Sequence, residues 1–319
     1  MRGGRSWMKA MAMVCTVGIL LAIYAHIDLS QLLQRLMNVH PGYFALALFL
    51  FIPQVLVTSV RWRTMVSRIR PMDLGESVQM VMAGKALNAL VPSKLGEISK
   101  AYFLKMGAQV DTAQSVSAVI LEKVLDMGGL CTMLLLGVLL SPESNELIWV
   151  GAAIAGGVLA SVTILLLLPL GAVGEALCKR GGRWKRLGQL LAGCHVVLTG
   201  WKGRGGALPR ILMLSMLVSG LHMLQIYLFF PSLRHPVPLA PALAYIPLGI
   251  LAGLLPITIG GMGTRDSALI LLFSSYADPA VMAGIGLLCS LRYWMDTLLG
   301  VPFFHWYTSR MAGPTRLGA

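Results

Sequence analysis

Charged residues are scarce in this chain. Asp, Glu, Lys and Arg make up 12% of its 319 residues, against about 25% in an ordinary soluble domain. So little charge cannot cover a water-facing globule, which excludes a soluble domain of any size. Acidic side chains are the scarcer sign, 13 against 26 Lys and Arg, for a formal charge of +13. The five cysteines, Cys15, Cys131, Cys178, Cys194 and Cys289, form no CxxC pair and no Cys/His metal spacing. They read as small packing residues, and no metal is expected. HExxH, GxSxG and Walker A sequences are lacking. No cofactor or soluble catalysis is therefore expected, and any transport would run downhill or on an ion gradient. No basic module interleaved with aromatics is present, so nucleic acid is not an expected partner.

What the chain has instead is apolar length. Hydrophobic residues are 56% of the total and mean hydropathy is +0.75. A helix needs about 20 such residues to cross roughly 30 Å of hydrocarbon. The runs predict an all-α integral membrane protein, one transmembrane domain over 1–319, with about six full spans. These are Trp7 to Ala25, Tyr43 to Val60, Ser115 to Leu140, Leu147 to Leu170, Ile211 to Phe230 and Val281 to Phe304. The first follows Arg2, Arg5 and Lys9 but lacks a small-residue cleavage site, so it is expected to be retained. Basic residues mark the cytoplasmic links. Arg61, Arg63, Arg68 and Arg70 follow the second span, and a lysine- and arginine-rich link of about 174–206 follows the fourth. The His26 to His40 and Ser141 to Glu146 links are poor in positive charge. Both termini are then expected in the cytoplasm of a multi-pass plasma-membrane protein. In the basic link, Trp184, Leu187, Leu190 and Leu191 fall on one helical face, as in an interfacial helix on an anionic leaflet.

Two further apolar segments, Leu74 to Lys105 and Leu239 to Tyr276, are broken by Pro and Gly. Full crossing by one of them would upset the parity of the basic links, so each is read as a re-entrant helical hairpin. Broken backbone at membrane depth survives only where protein or a wet cavity covers it. The breaks resemble each other: Pro92-Ser93-Lys94-Leu95-Gly96 aligns with Pro256-Ile257-Thr258-Ile259-Gly260. With an odd number of spans in each half, this predicts an inverted repeat, a first half of about 1–140 and a second of about 147–308. Transporters built this way bind substrate between discontinuous helices near the midplane.

Charge inside apolar runs marks the candidate residues, because each costs roughly 2.5–3.5 kcal/mol at a helix centre. The third span carries Glu122, Lys123 and Asp126, and the sixth carries Arg292 and Asp296. Such charges serve either as interhelical ion pairs or as a polar track for a headgroup or coupling ion. The half-helix starts are the second candidate, since free N–H groups and the helix dipole suit a phosphate. Lys94 and Lys100 flank the first start, with Gly96 and Glu97. Thr264, Arg265 and Asp266 flank the second, where Gly260, Gly261 and Gly263 would let backbone approach a ligand closely.

The stretch NALVPSKLGEISKAYFL, from Asn88, resembles the N-x-x-x-P-x-x-x-G-E-x-x-R motif of the lysylphosphatidylglycerol synthase transmembrane-region family, also called flippase-like. LEKVLD resembles that family's E-R-x-x-D, and LLPITIGGMGTRDSALILL its P-x-x-x-G-G-x-G-x-R-E. Lys100 and Lys123 stand where the family has Arg, and Asp266 where it has Glu. Lysine lacks the bidentate fork of arginine, so headgroup details would differ. The resemblance implies a protein that moves an aminoacylated phospholipid or lipid-linked sugar between leaflets. It points to Asn88, Pro92, Gly96, Glu97, Glu122, Asp126, Gly260, Gly261, Gly263 and Arg265. The expected function is a lipid translocase, with a lipid substrate and a coupling proton or ion as partners. Two alternatives stay open: a membrane-embedded transferase on lipid-linked substrates, and a non-transporting partner of an envelope-lipid synthesis enzyme. A homo-oligomer fits either class.

Overall fold

The computed structural model describes residues 3–88, 96–108, 110–140, 146–203, 206–255 and 257–312. The regular structure among those residues is all helical, with no strand. In chain order the helices are α1 (Gly3–Ala25), α2 (Leu29–Met37), α3 (Pro41–Phe49), α4 (Phe51–Val66), α5 (Leu74–Leu87), α6 (Ser99–Ala108) and α7 (Thr112–Leu140). Then come α8 (Glu146–Leu167), α9 (Leu170–Lys179), α10 (Gly182–Lys202), α11 (Ala207–Ser232), α12 (Leu239–Ala252), α13 (Thr264–Leu272) and α14 (Pro279–Ala312).

Local chemistry sets several starts. Asp28 caps α2 by accepting from the Ser30 and Gln31 amides at 2.9 and 3.2 Å. Asp73 caps α5 through the Glu76 amide at 2.7 Å. Asp111 does the same for α7 through the Ala113 amide at 2.9 Å. Each carboxylate satisfies N–H groups that the first helical turn leaves open.

Four helical stretches among the described residues are long and apolar enough to cross a membrane: Pro41–Val66 (α3 running into α4), Thr112–Leu140, Ile148–Leu167 and Ala207–Ser232. Met11–Ala25 and Leu29–Met37, bent by 95°, make a fifth if taken as one broken span. The expected sixth span lies within α14, which at 34 residues is long enough but carries Arg292 and Asp296 in its middle. The expected fourth span ends early, at Leu167, because Pro169 starts α9. The basic link is not loop but two packed helices, α9 and α10. Gly174 and Gly188 let their backbones meet. Its buried face carries Cys194, Val197, Leu198 and Trp201, while Trp184 and Leu187 stay exposed.

Two apolar cores lie along α7. One gathers Trp62, Met80, Phe103, Leu121, Leu125 and Trp201 beside its first half. The other gathers Leu130, Leu134, Phe229, Phe230, Phe273 and Ile285 beside its second. Helix α7 packs on α6, α8, α10, α11 and α12, which brings charges from other helices within reach of its own.

Both broken segments are helix, break, helix. Pro92, Ser93, Lys94 and Leu95 in the first break, and Pro256 in the second, lie outside the described residues. In the first, Gly84 of α5 faces Glu97 and Lys100, at 3.6 and 3.5 Å from where its Cβ would stand. In the second, Gly253 of α12 faces Arg265, 3.0 Å from its Cβ by the same measure. A single 3₁₀ turn, Ile259–Gly261, precedes α13. Gly261 there has φ +77°, and a Cβ on it would stand 2.8 Å from Gly253 Cα. Gly261→Ala should therefore cost about 1–3 kcal/mol, through strained backbone and overpacking. Gly157→Ala, in open space on α8, should be neutral or slightly stabilising. Thermal unfolding in detergent separates them, and equal midpoints would contradict the close approach at Gly261.

Candidate functional site

Six charged side chains, from α4, α6 with the turn just before it, and α7, form one network. Arg61 of α4 reaches Glu122 at 3.1 Å and Asp126 at 2.6 Å, both on α7. Lys100 of α6 pairs with Glu122 and lies 3.8 Å from Glu97. Lys123 pairs with Glu97 and, at 3.1 Å, with Asp126. Ser215 of α11 accepts from Arg61 at 3.3 Å, and the Lys100 ammonium sits 4.7 Å from the centre of the Trp62 ring. Three cations thus meet three carboxylates, and the network is neutral.

Its burial is graded. Side chains of Arg61, Glu122 and Lys100 are each 1% exposed, whereas Glu97, Asp126 and Lys123 are 23%, 27% and 42% exposed. A buried inner triad therefore supports a more exposed rim, in which one lysine bridges two carboxylates. Burial makes the inner bonds expensive to break, since a stranded charge loses both water and partner. The rim is cheaper to rearrange. A cationic group that displaced the Lys123 ammonium would meet both Glu97 and Asp126.

Glu97, Lys100, Glu122, Lys123 and Asp126 are thus brought together as neighbours. Arg61 was assigned by sequence to a cytoplasmic link; the structure instead places it inside α4, nearly fully buried. Its residue string, RWRTMVSRIR, reads as an orienting cluster, and only the partner helix reveals the difference.

The remaining candidates sit elsewhere. Arg265 donates through Nε and Nη2 to Asp266 Oδ1 at 2.8 and 2.7 Å, and through Nη2 to the Gly286 carbonyl at 3.0 Å. Asp266 Oδ2 accepts from the Gly263 amide at 3.1 Å, capping α13. Thr264 shares a hydrogen bond with Thr258 at 2.9 Å. Arg292 and Asp296, one turn apart on α14, are not paired with each other. Asp296 binds Lys85 of α5 at 2.6 Å, a lysine that sequence reading passed over. Arg292 donates to the Gln225 side chain of α11 at 2.8 Å.

The two breaks converge on one residue. Tyr293 of α14 donates its hydroxyl to the Asn88 carbonyl at the end of α5, at 2.6 Å. Its ring covers Gly260 (φ +63°), 2.9 Å from where a Cβ would stand. Gly263 (φ +91°) backs onto Ile19 of α1 in the same way, at 3.0 Å. The close approaches that these glycines permit are thus to Tyr293, Gly253 and Ile19. Gly96 backs onto the last turn of α5. Nothing in an apolar, aromatic-containing run such as SLRYWMDTLL marks Tyr293 in advance.

Among the described residues no group of three or more His, Cys, Asp and Glu is placed to hold a metal ion.

A family model described as the lysylphosphatidylglycerol synthase TM region matches residues 10–300. A UPF0104 membrane protein of Methanocaldococcus jannaschii is 27% identical over 305 residues, which cover 88% of this chain and 89% of its own. Another, from Methanothermobacter thermautotrophicus, is 24% identical over 325 residues, 92% of this chain and 95% of its own. No solved structure matches.

Proposed function

The chain belongs to the lysylphosphatidylglycerol synthase transmembrane-region family, and from that premise we propose that it is a lipid translocase. It moves an anionic or aminoacylated phospholipid, or a polyprenyl-phosphate sugar, between leaflets. The observation that carries this reading is the graded charge network. A purely structural lock gains nothing from a wet rim, whereas a headgroup needs carboxylates that it can reach from a dry, rigid base. Glu97 and Asp126 take a cationic or hydroxylated headgroup by exchange with Lys123, and Arg61, Glu122 and Lys100 hold them in place.

In this reading α14 supplies the sixth span and the two broken segments are re-entrant hairpins of inverted halves. Both termini face the cytoplasm of the plasma membrane. Tyr293, which touches both breaks, is the hinge point about which the halves rock to expose the site on each side.

The test is leaflet exchange of headgroup-labelled lipids in proteoliposomes, using phosphatidylglycerol, its lysyl ester and a polyprenyl-phosphate sugar. The protein should accelerate one of them well above protein-free vesicles. Lys123→Gln, which removes the bridging ammonium but no inner charge, should alter the rate and leave the fold intact. Exchange no faster than in protein-free vesicles for all three lipids would contradict the translocase reading.

A further inference from the structure

Among the described residues, the cations of the helix bundle that face other helices are matched by carboxylates, with one exception. Arg61, Lys100 and Lys123 stand against Glu97, Glu122 and Asp126. Lys85 stands against Asp296, and Arg265 against Asp266. Arg292, only 6% exposed, has no carboxylate within ion-pair distance among the described residues. Its one acceptor is the neutral Gln225 Oε1, reached from Nη1 at 2.8 Å.

That acceptor is fixed in place. Gln225 Oε1 also takes Gln54 Nε2 at 2.8 Å, and Gln225 Nε2 donates to the Ala47 carbonyl at 2.7 Å. With Nη1 held there, Arg292 keeps its Nε–Nη2 edge, and its buried Nε has no hydrogen-bond partner. This is the edge with which Arg265 grips Asp266. It is also the fork that matches a carboxylate or phosphate bidentately. Asp296, a turn away, is already taken by Lys85, so the patch of Lys85, Asp296 and Arg292 carries one surplus positive charge. Arginine cannot shed its proton to relieve this. Asn88, whose carbonyl takes the hydroxyl of the neighbouring Tyr293, has a buried Oδ1 that is also without a partner.

We infer that Arg292 is the receptor for a phosphate-type anion on the transported ligand. The inference rests on the translocase reading and assigns that substrate its charge: a phosphate bound by the Nε–Nη2 edge of Arg292. It moves the anion site away from Lys100 and Arg265, whose charges are already spent on Glu122 and Asp266. Along α4, Gln54 and Arg61 are seven residues apart, which is about 10 Å of helix.

The experiment is thermal unfolding of the purified full-length protein in a neutral detergent. It is run with a short-chain phosphatidylglycerol, an uncharged diacylglycerol of the same chains, or inorganic phosphate. Wild type should rise in midpoint with phosphatidylglycerol and not with diacylglycerol. A rise with inorganic phosphate as well identifies a site for the free anion; a rise with phosphatidylglycerol alone identifies the lipid headgroup. Arg292→Met should weaken the apparent affinity by roughly ten- to a hundredfold, the loss expected for charge-assisted hydrogen bonds. Its midpoint without ligand should equal or exceed that of wild type, because an unmatched buried charge has been removed. Arg292→Lys, which keeps the charge without the fork, should retain a weakened response.

An Arg292→Met protein that responds to phosphatidylglycerol like wild type, or a wild type that responds to neither anion, overturns the inference. The two readings fail separately. Leaflet exchange that survives Arg292→Met unchanged removes this site and leaves the translocase. An Arg292-dependent anion response without exchange keeps the site and removes the translocase.

Discussion

Glu122→Gln should lower the stability of the folded protein by about 3–5 kcal/mol, the cost of breaking a buried ion pair by removing one partner. Glu122 is 1% exposed and accepts from Arg61 with one oxygen and from Lys100 with the other, both donors themselves 1% exposed. The amide keeps the shape but strands both cations, leaving Arg61, Lys100 and Lys123 against Glu97 and Asp126. Adding Lys100→Met restores neutrality with a side chain of similar length. The pair should recover most of the lost stability, whereas Lys100→Met alone should itself destabilise. Urea or thermal unfolding in detergent measures this, and because the triad is dry, added salt should change the result little. A Glu122→Gln protein as stable as wild type would mean that the inner triad is not the network described here.

The second large effect is expected at Arg265 and Asp266. Asp266→Asn leaves a buried guanidinium whose Nε and Nη2 have lost their carboxylate, and it weakens the cap at the Gly263 amide. Arg265→Met leaves a buried carboxylate and cuts the link to the Gly286 carbonyl of α14. Each single change should cost about 3 kcal/mol or more. The double change should cost clearly less than the sum, because neither charge is then stranded. A double-mutant cycle by thermal unfolding yields the coupling directly. A coupling near zero would show that the two residues are satisfied by other partners.

Much of the helical architecture was legible before the structure, because apolar length and Pro/Gly breaks are local signals. Tyr43 to Val60 and Ile211 to Phe230 fall inside observed helices, as do Trp7 to Ala25 and Ser115 to Leu140. The α7 charges were legible for the same reason: Glu122, Lys123 and Asp126 are costly where they stand. Their partners were not. Arg61 ends an apolar run beside three further arginines, which is also how a topology signal looks. Lys85 and Gln225 gain meaning only from Asp296 and Arg292, residues more than sixty positions away that the packing of α5, α11 and α14 brings near. In the basic link the amphipathic pattern marked a helix, but its packing partners were not legible. The glycines of α9 and α10 allow two helices to close on each other and on α7. Asp296 does form an interhelical ion pair, with Lys85, whereas Arg292 one turn away does not share that carboxylate.

The most direct measurement is leaflet exchange in proteoliposomes of the Glu122→Gln, Lys100→Met double variant beside wild type, at matched incorporation and with folding verified by unfolding midpoint. A folded double variant that has lost most of the wild-type acceleration is expected, because Glu122 and Lys100 no longer brace the rim of Glu97, Lys123 and Asp126 from below. Exchange at the wild-type rate would contradict it, and would reduce the charge network to a lock between helices.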